Sequence, residues 1–120
     1  METSLKNILI VEDDVVFCKM LTRFLSKNGY IVYDAQSGAM ASQIIKDTKI
    51  DLAILDYRLP DANGLEVFSA VKTRYPSVKS ILITRFSDEA LKKESDEAGI
   101  DGYIGKPLDP AELLKTIRSL

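Results

Sequence analysis

Five times along this chain a short run of β-branched and aliphatic residues gives way to a stretch with helical periodicity. That alternation restricts the fold more than any other feature. The strand candidates are Asn7–Val11, Ile31–Ala35, Leu52–Leu55, Ser80–Thr84 and Gly102–Ile104. Runs such as ILIV and LAIL are apolar at every position, whereas a strand with one wet face alternates apolar and polar residues. Such strands need cover on both sides. Intervening helices provide it, and a strand–helix–strand crossover makes the neighbouring strands parallel. The expected fold class is α/β: a single domain over residues 1–120, with a five-stranded parallel sheet and helices on both faces.

The helical stretches carry their own punctuation. Phe17, Met20, Leu21, Phe24 and Leu25 recur at one-face spacing, and Gly29 follows where a helix would end. A second helix fits Gly38–Thr48, with Ala41, Ile44 and Ile45 inward. Leu65, Phe68 and Val71 stripe a third, whose end is marked by Pro76. Leu91, Ser95 and Ala98 define a fourth, with Gly99 after it. Asp109 can cap a fifth with Pro110 at its first position, leaving Leu113, Leu114 and Ile117 to face inward.

Composition removes several function classes. Sixteen basic against eighteen acidic side chains leave a net charge of −2, which gives no electrostatic case for direct nucleic-acid binding by this domain. No apolar run exceeds four residues, while a membrane helix needs ~20. The N-terminus, METSLKNILIVEDD, lacks the basic start and apolar stretch of a signal peptide. With the lone Cys18 no intramolecular disulfide can form, so a cytoplasmic location is expected. Cys18 itself reads as a packed thiol rather than a redox sensor. The absence of histidine excludes histidine-ligated metals, Ser–His–Asp triads and phosphohistidine on this chain. Carboxylates, hydroxyls and lysines must carry the chemistry.

Those residues fall in one kind of place. The first strand ends in Glu12-Asp13-Asp14, the third in Asp56 and the fourth in Thr84, and Lys106-Pro107 follows the fifth. In open α/β sheets ligands bind at the carboxyl ends of the strands, near the point where strand order reverses. If the first and third strands are neighbours, Glu12, Asp13 and Asp56 converge. Three adjacent carboxylates repel one another and are driven to take up protons. A hard divalent cation relieves this, and an all-oxygen site suits Mg²⁺. Lys106 adds a positive charge and Thr84 a hydroxyl donor, which together describe a site for a phosphoryl group. Each residue alone has a plainer reading. Asp14 can cap a helix, Thr84 can be an ordinary strand residue and Lys106 a surface lysine. Their common placement makes the case.

The stretches ILIVEDD (8–14), LAILDYRLPDANG (52–64), ILIT (81–84) and GYIGKPLDPAEL (102–113) resemble the receiver domain of two-component response regulators. The resemblance covers essentially the whole chain. Its most specific parts are Asp56-x-x-x-Pro60-x-x-x-Gly64 and the Lys106-Pro107 pair. It implies a flavodoxin-like (βα)5 fold with strand order 2-1-3-4-5 and a cis Lys106–Pro107 bond. Asp56 is implied as phosphoacceptor, supplied by a sensor histidine kinase or a phosphotransfer protein. Asp13 and Asp56 would ligate Mg²⁺ directly, Glu12 largely through water, and the Arg58 backbone carbonyl would complete the protein ligands. Thr84 and Lys106 would contact the phosphoryl oxygens, and Tyr103 would be the switch aromatic. The implied protein is a switch rather than a turnover enzyme, assisting only its own phosphorylation and dephosphorylation. The face of helix 4, strand 5 and helix 5 would relay the change to an output domain or target protein, with dimerisation through that face as one use.

Two departures stand out. Arg85 and Phe86 follow Thr84, and with Arg58 they are expected to crowd the site mouth and prolong the phosphoryl state. Gly102 and Thr116 stand where receivers attached to winged-helix domains carry an acid and an arginine, which argues against that dimer pattern. Asp101, Glu112 and Arg118 remain for other pairs. Phosphotransfer or nucleic-acid enzymes of Toprim or haloacid-dehalogenase type need Asp-x-Asp, where this chain has Asp56-Tyr57-Arg58. A flavin mononucleotide binder would want a Ser/Thr/Gly-rich loop after the first strand, where three acids repel phosphate.

Overall fold

The computed structural model of the chain describes residues 5–85 and 88–120. Strands and helices alternate as β1 (Asn7–Val11), α1 (Val15–Lys27), β2 (Ile31–Ala35), α2 (Gly38–Asp47) and β3 (Leu52–Asp56). Then come α3 (Gly64–Arg74), β4 (Lys79–Thr84), α4 (Glu89–Ala98), β5 (Gly102–Gly105) and α5 (Pro110–Arg118). The strands form one sheet of order β2-β1-β3-β4-β5, and every pairing is parallel. The chain leaves β1 toward β2 on one side and returns to β3 on the other. The strand order therefore reverses at the carboxyl ends of β1 and β3, where Val11 lies opposite Leu55.

The apolar strands are covered on both faces, as their composition demands. Leu9, Val11, Ala53, Leu55 and Leu82 join residues of α2 and α3 and Leu91 of α4 in one core. Ile8, Ile10, Leu52, Ile54, Ile81 and Ile83 meet α1 and α5 in the other. Alternate residues of each strand thus serve opposite cores. Among the described residues, no helix is long and apolar enough to cross a membrane.

The element bounds differ from the sequence reading by a residue or so. β3 extends to Asp56, β4 starts at Lys79, β5 reaches Gly105, and α2 stops at Asp47 with Thr48 as its cap. Two residues of the helical patterns lie off the buried faces. Met20 is 38% exposed, and the buried line of α1 is Cys18, Leu21 and Leu25. That face is centred between Cys18 and Leu21, so Met20 falls off its side. Ala98 is exposed at the end of α4. Ile100, buried past the left-handed Gly99 turn, closes the core there instead.

Candidate functional site

The sequence runs straight from a buried strand into the acidic turn. Glu12 continues the β1 ladder by donating its N–H to the Ala35 carbonyl, 2.9 Å away. Its side chain is buried and turns back on the chain, Oε2 accepting from the Asp14 N–H at 2.9 Å. Asp14 caps α1, its Oδ1 accepting from the Phe17 N–H at 3.1 Å. Between these two committed acids, Asp13 is left exposed.

Asp56, the last residue of β3, is also buried. The loop after it is tightly closed: the Gly64 N–H donates to the Tyr57 carbonyl at 2.7 Å and the Leu59 N–H to the Ala62 carbonyl at 3.1 Å. A Cβ at Gly64 would fall 2.5 Å from the Asp56 carbonyl oxygen and 2.8 Å from Leu82 Cδ1, so only glycine lets α3 begin there. The spacing Asn63-x-x-Glu66 is a capping-box signature legible in the sequence. Both of its reciprocal bonds are present.

Lys106 reaches the acids from the far side of the sheet. Its N–H donates to the Thr84 carbonyl at 2.8 Å, and the following bond to Pro107 is cis. Its Nζ lies 2.5 Å from Glu12 Oε1 and 3.3 Å from Asp56 Oδ2, and 5.0 Å from the centroid of the Phe17 ring. Oxygens of Glu12, Asp13 and Asp56 all lie within 4.8 Å of one another. One ammonium against three carboxylates leaves an excess of negative charge. Burial pushes the Glu12 carboxyl up to about 7, against the pull of Lys106 and the Asp14 N–H, and the Asp56 charge adds to the rise. The donors are all oxygen and the charge is unbalanced, which fits a hard divalent cation.

These residues line a cavity of about 320 Å³ together with Asp14, Arg58 and Arg85. Both arginines are exposed. Phe86, the other residue expected to narrow the mouth, lies outside the described residues. Thr84 is buried at the end of β4, opposite Gly105, and does not line the cavity. Tyr103 is farther along the sheet, paired with Leu82. Its ring packs against the core, with Lys92 Nζ 5.6 Å from its centroid. Its hydroxyl is buried and finds no partner among the described residues. Asp101 is used internally, accepting from the Ser80 N–H at 2.9 Å.

A family model described as the response regulator receiver domain matches residues 8–118. The transcriptional regulatory protein GltR of Pseudomonas aeruginosa is 36% identical over 117 residues, covering 96% of this chain and 48% of that protein. The chain thus spans about half the length of this curated relative. A CheY-like receiver domain protein from Methanospirillum hungatei superposes with a TM-score of 0.90 at 34% identity, over 97% of this chain and 93% of the other. A Burkholderia pseudomallei response regulator, solved with a phosphorylated aspartic acid, a calcium ion and citrate, gives 0.86 at 25% identity, over 92% and 65%. Sheet order, the placement of the acids and the family model agree along nearly the full length, and the chain belongs to the response regulator receiver domains.

Proposed function

We propose that this domain is a phosphoryl-controlled switch in which Asp56 takes a phosphoryl group from the phosphohistidine of a sensor kinase or phosphotransfer protein. The observation that carries this reading is Lys106 Nζ, held between Glu12 and Asp56 at 2.5 and 3.3 Å beside an open acidic cavity. An Asp56 oxygen attacks phosphorus and forms a P–O bond. The P–N bond breaks, and the imidazole nitrogen leaves with the electron pair. The product is an acyl phosphate with more negative charge than the carboxylate it replaces.

Glu12, Asp13, Asp56 and the Arg58 carbonyl would hold Mg²⁺, which when bound offsets the charge shared by acceptor and phosphoryl oxygens. Lys106 then pairs with a phosphoryl oxygen, and the Thr84 hydroxyl donates to another. Thr84 ends β4 and Lys106 follows β5, the two strands that α4 connects, so the new charge pulls on that side of the sheet. Tyr103 follows, and the α4–β5–α5 face presents the change to an output domain or target protein. Relatives twice as long, with names such as transcriptional regulatory protein, support an output read from this face rather than nucleic-acid contact by the domain itself.

The test is intact mass after incubation with Mg²⁺ and phosphoramidate. One added phosphoryl group is expected, absent with a chelator and in Asp56→Asn. An adduct that persists in Asp56→Asn overturns the assignment. So does the failure of both phosphoramidate and a phosphorylated histidine kinase to load the wild type.

A further inference from the structure

The loop that follows Asp56 is fastened to a helix distant in sequence. Asp61 Oδ1 accepts from the Gly38 N–H at 2.8 Å, and Oδ2 from the Ala39 N–H at 2.9 Å. These are the first two N–H groups of α2. The next two are already satisfied by Ser37, through its Oγ to Met40 at 3.1 Å and its carbonyl to Ala41 at 3.1 Å. A helix leaves four N–H groups to be satisfied at its start. Ser37 Oγ serves one of them locally, at Met40, and Asp61 brings in partners for two more, at Gly38 and Ala39, from across the fold. The Gly38 and Ala39 N–H groups hold the Asp61 carboxyl below its ordinary range.

The far end of α2 is held as well. Arg74 donates from Nε to the Ile45 carbonyl at 3.0 Å and from Nη2 to the Lys46 carbonyl at 2.7 Å. The Tyr75 hydroxyl also donates to the Ile45 carbonyl at 2.7 Å. A carboxylate thus meets the positive end of α2 and a guanidinium its negative end, both from the segment that follows β3. The contact at Asp61 is close-fitting. A Cβ at Gly38 would meet Asp61 Oδ1 at 3.2 Å and the Ala62 Cβ at 3.3 Å.

We infer that Asp61 is a positioning residue, its two bonds to α2 fixing the 57–64 loop so that the Arg58 carbonyl and Asp56 stand ready for cation and phosphoryl group. This rests on Asp56 being the acceptor. Without the tether the loop loses its bonds to α2 but keeps its internal closures, Leu59 N–H to Ala62 and Gly64 N–H to Tyr57, and its two ends, Tyr57 N–H on the Ile83 carbonyl and Asn63 on Glu66. The Arg58 carbonyl, which lies between them, then samples other orientations. Its loss of order shows in the metal-free protein and again in cation affinity.

Two variants separate a tether from a mere cap. Asp61→Ala removes both bonds to α2, whereas Ser37→Ala removes the local cap of the same helix and leaves the loop attached. Amide exchange at Leu59 and Gly64 is followed in chelator, and Mg²⁺ affinity is then read from amide shifts. In Asp61→Ala, exchange at both amides is expected to quicken and Mg²⁺ affinity to fall, each roughly threefold to tenfold. Asp61→Asn, with one acceptor oxygen left, falls between, and Ser37→Ala keeps wild-type values. Equal effects in Asp61→Ala and Ser37→Ala overturn the tether, as does faster exchange with unchanged affinity or no effect of Asp61→Ala at all. A wild type that neither binds Mg²⁺ nor loads a phosphoryl group overturns the acceptor reading, and the tether's role with it. A wild type that does both, with Asp61→Ala unchanged, overturns the tether alone.

Discussion

Glu12 is the most buried acid of the site. It follows four apolar residues into the core and turns a carboxylate into a space with too few cations. Burial lifts its carboxyl from 4.5 to about 7. In the metal-free folded domain Glu12 therefore keeps a proton that the unfolded chain has already lost. Its contribution to stability is full below about 4.5 and declines as pH rises through about 7. A cation must displace that proton, so Mg²⁺ affinity is expected to climb with pH and level off above about 7. A pH series of Mg²⁺ titrations checks this, and Glu12→Gln is expected to flatten the profile. Lys106 is the counterpart. Lys106→Met leaves the buried acids without their cation and is expected to cost about 3 kcal/mol in chelator, the low end for a broken buried pair because Glu12 can take up a proton. Urea unfolding measures that loss, and Mg²⁺ is expected to narrow the gap to wild type.

At the level of elements, α4 contrasts with α2. Both ends of α2 are tied down, whereas α4 buries a hydroxyl that no described residue satisfies. Ser95 Oγ, like the Tyr103 hydroxyl on neighbouring β5, has no hydrogen-bond partner among the described residues. A buried unsatisfied hydroxyl costs free energy in the packed state. Ser95→Ala is therefore expected to raise stability by about 1 kcal/mol, read as a higher melting temperature. The elements themselves were largely legible. ILIV and LAIL announce covered strands, and Asp14 and Asp109 cap helices where the sequence places such caps. A stripe of five apolar residues does not say which edge of it meets the sheet, and Met20 stands on the exposed edge. Asp61 was not legible at all. Its partners lie 22 and 23 residues away, and a loop acid bonding a distant helix leaves no local pattern.

For the whole molecule, topology brings the chemistry together. Lys106 lies 94 residues from Glu12 and 50 from Asp56, yet the order β2-β1-β3-β4-β5 sets all three at one end of the sheet. That convergence was foreseeable because each residue follows a strand, and the carboxyl ends of parallel strands share one edge. The positions of Thr84 and Tyr103 relative to the cavity were not, since they depend on packing around α4. The resulting domain is unevenly built. The acceptor loop, α2 and α3 are locked together, while α4 and β5 each bury a hydroxyl with no hydrogen-bond partner among the described residues. The most direct measurement is an amide-resolved NMR comparison of the domain before and after Asp56 is loaded. The largest shifts are expected at Thr84, Tyr103 and α4, with α2 nearly still. An acyl phosphate on Asp56 that leaves Tyr103 and α4 unshifted would contradict the switch.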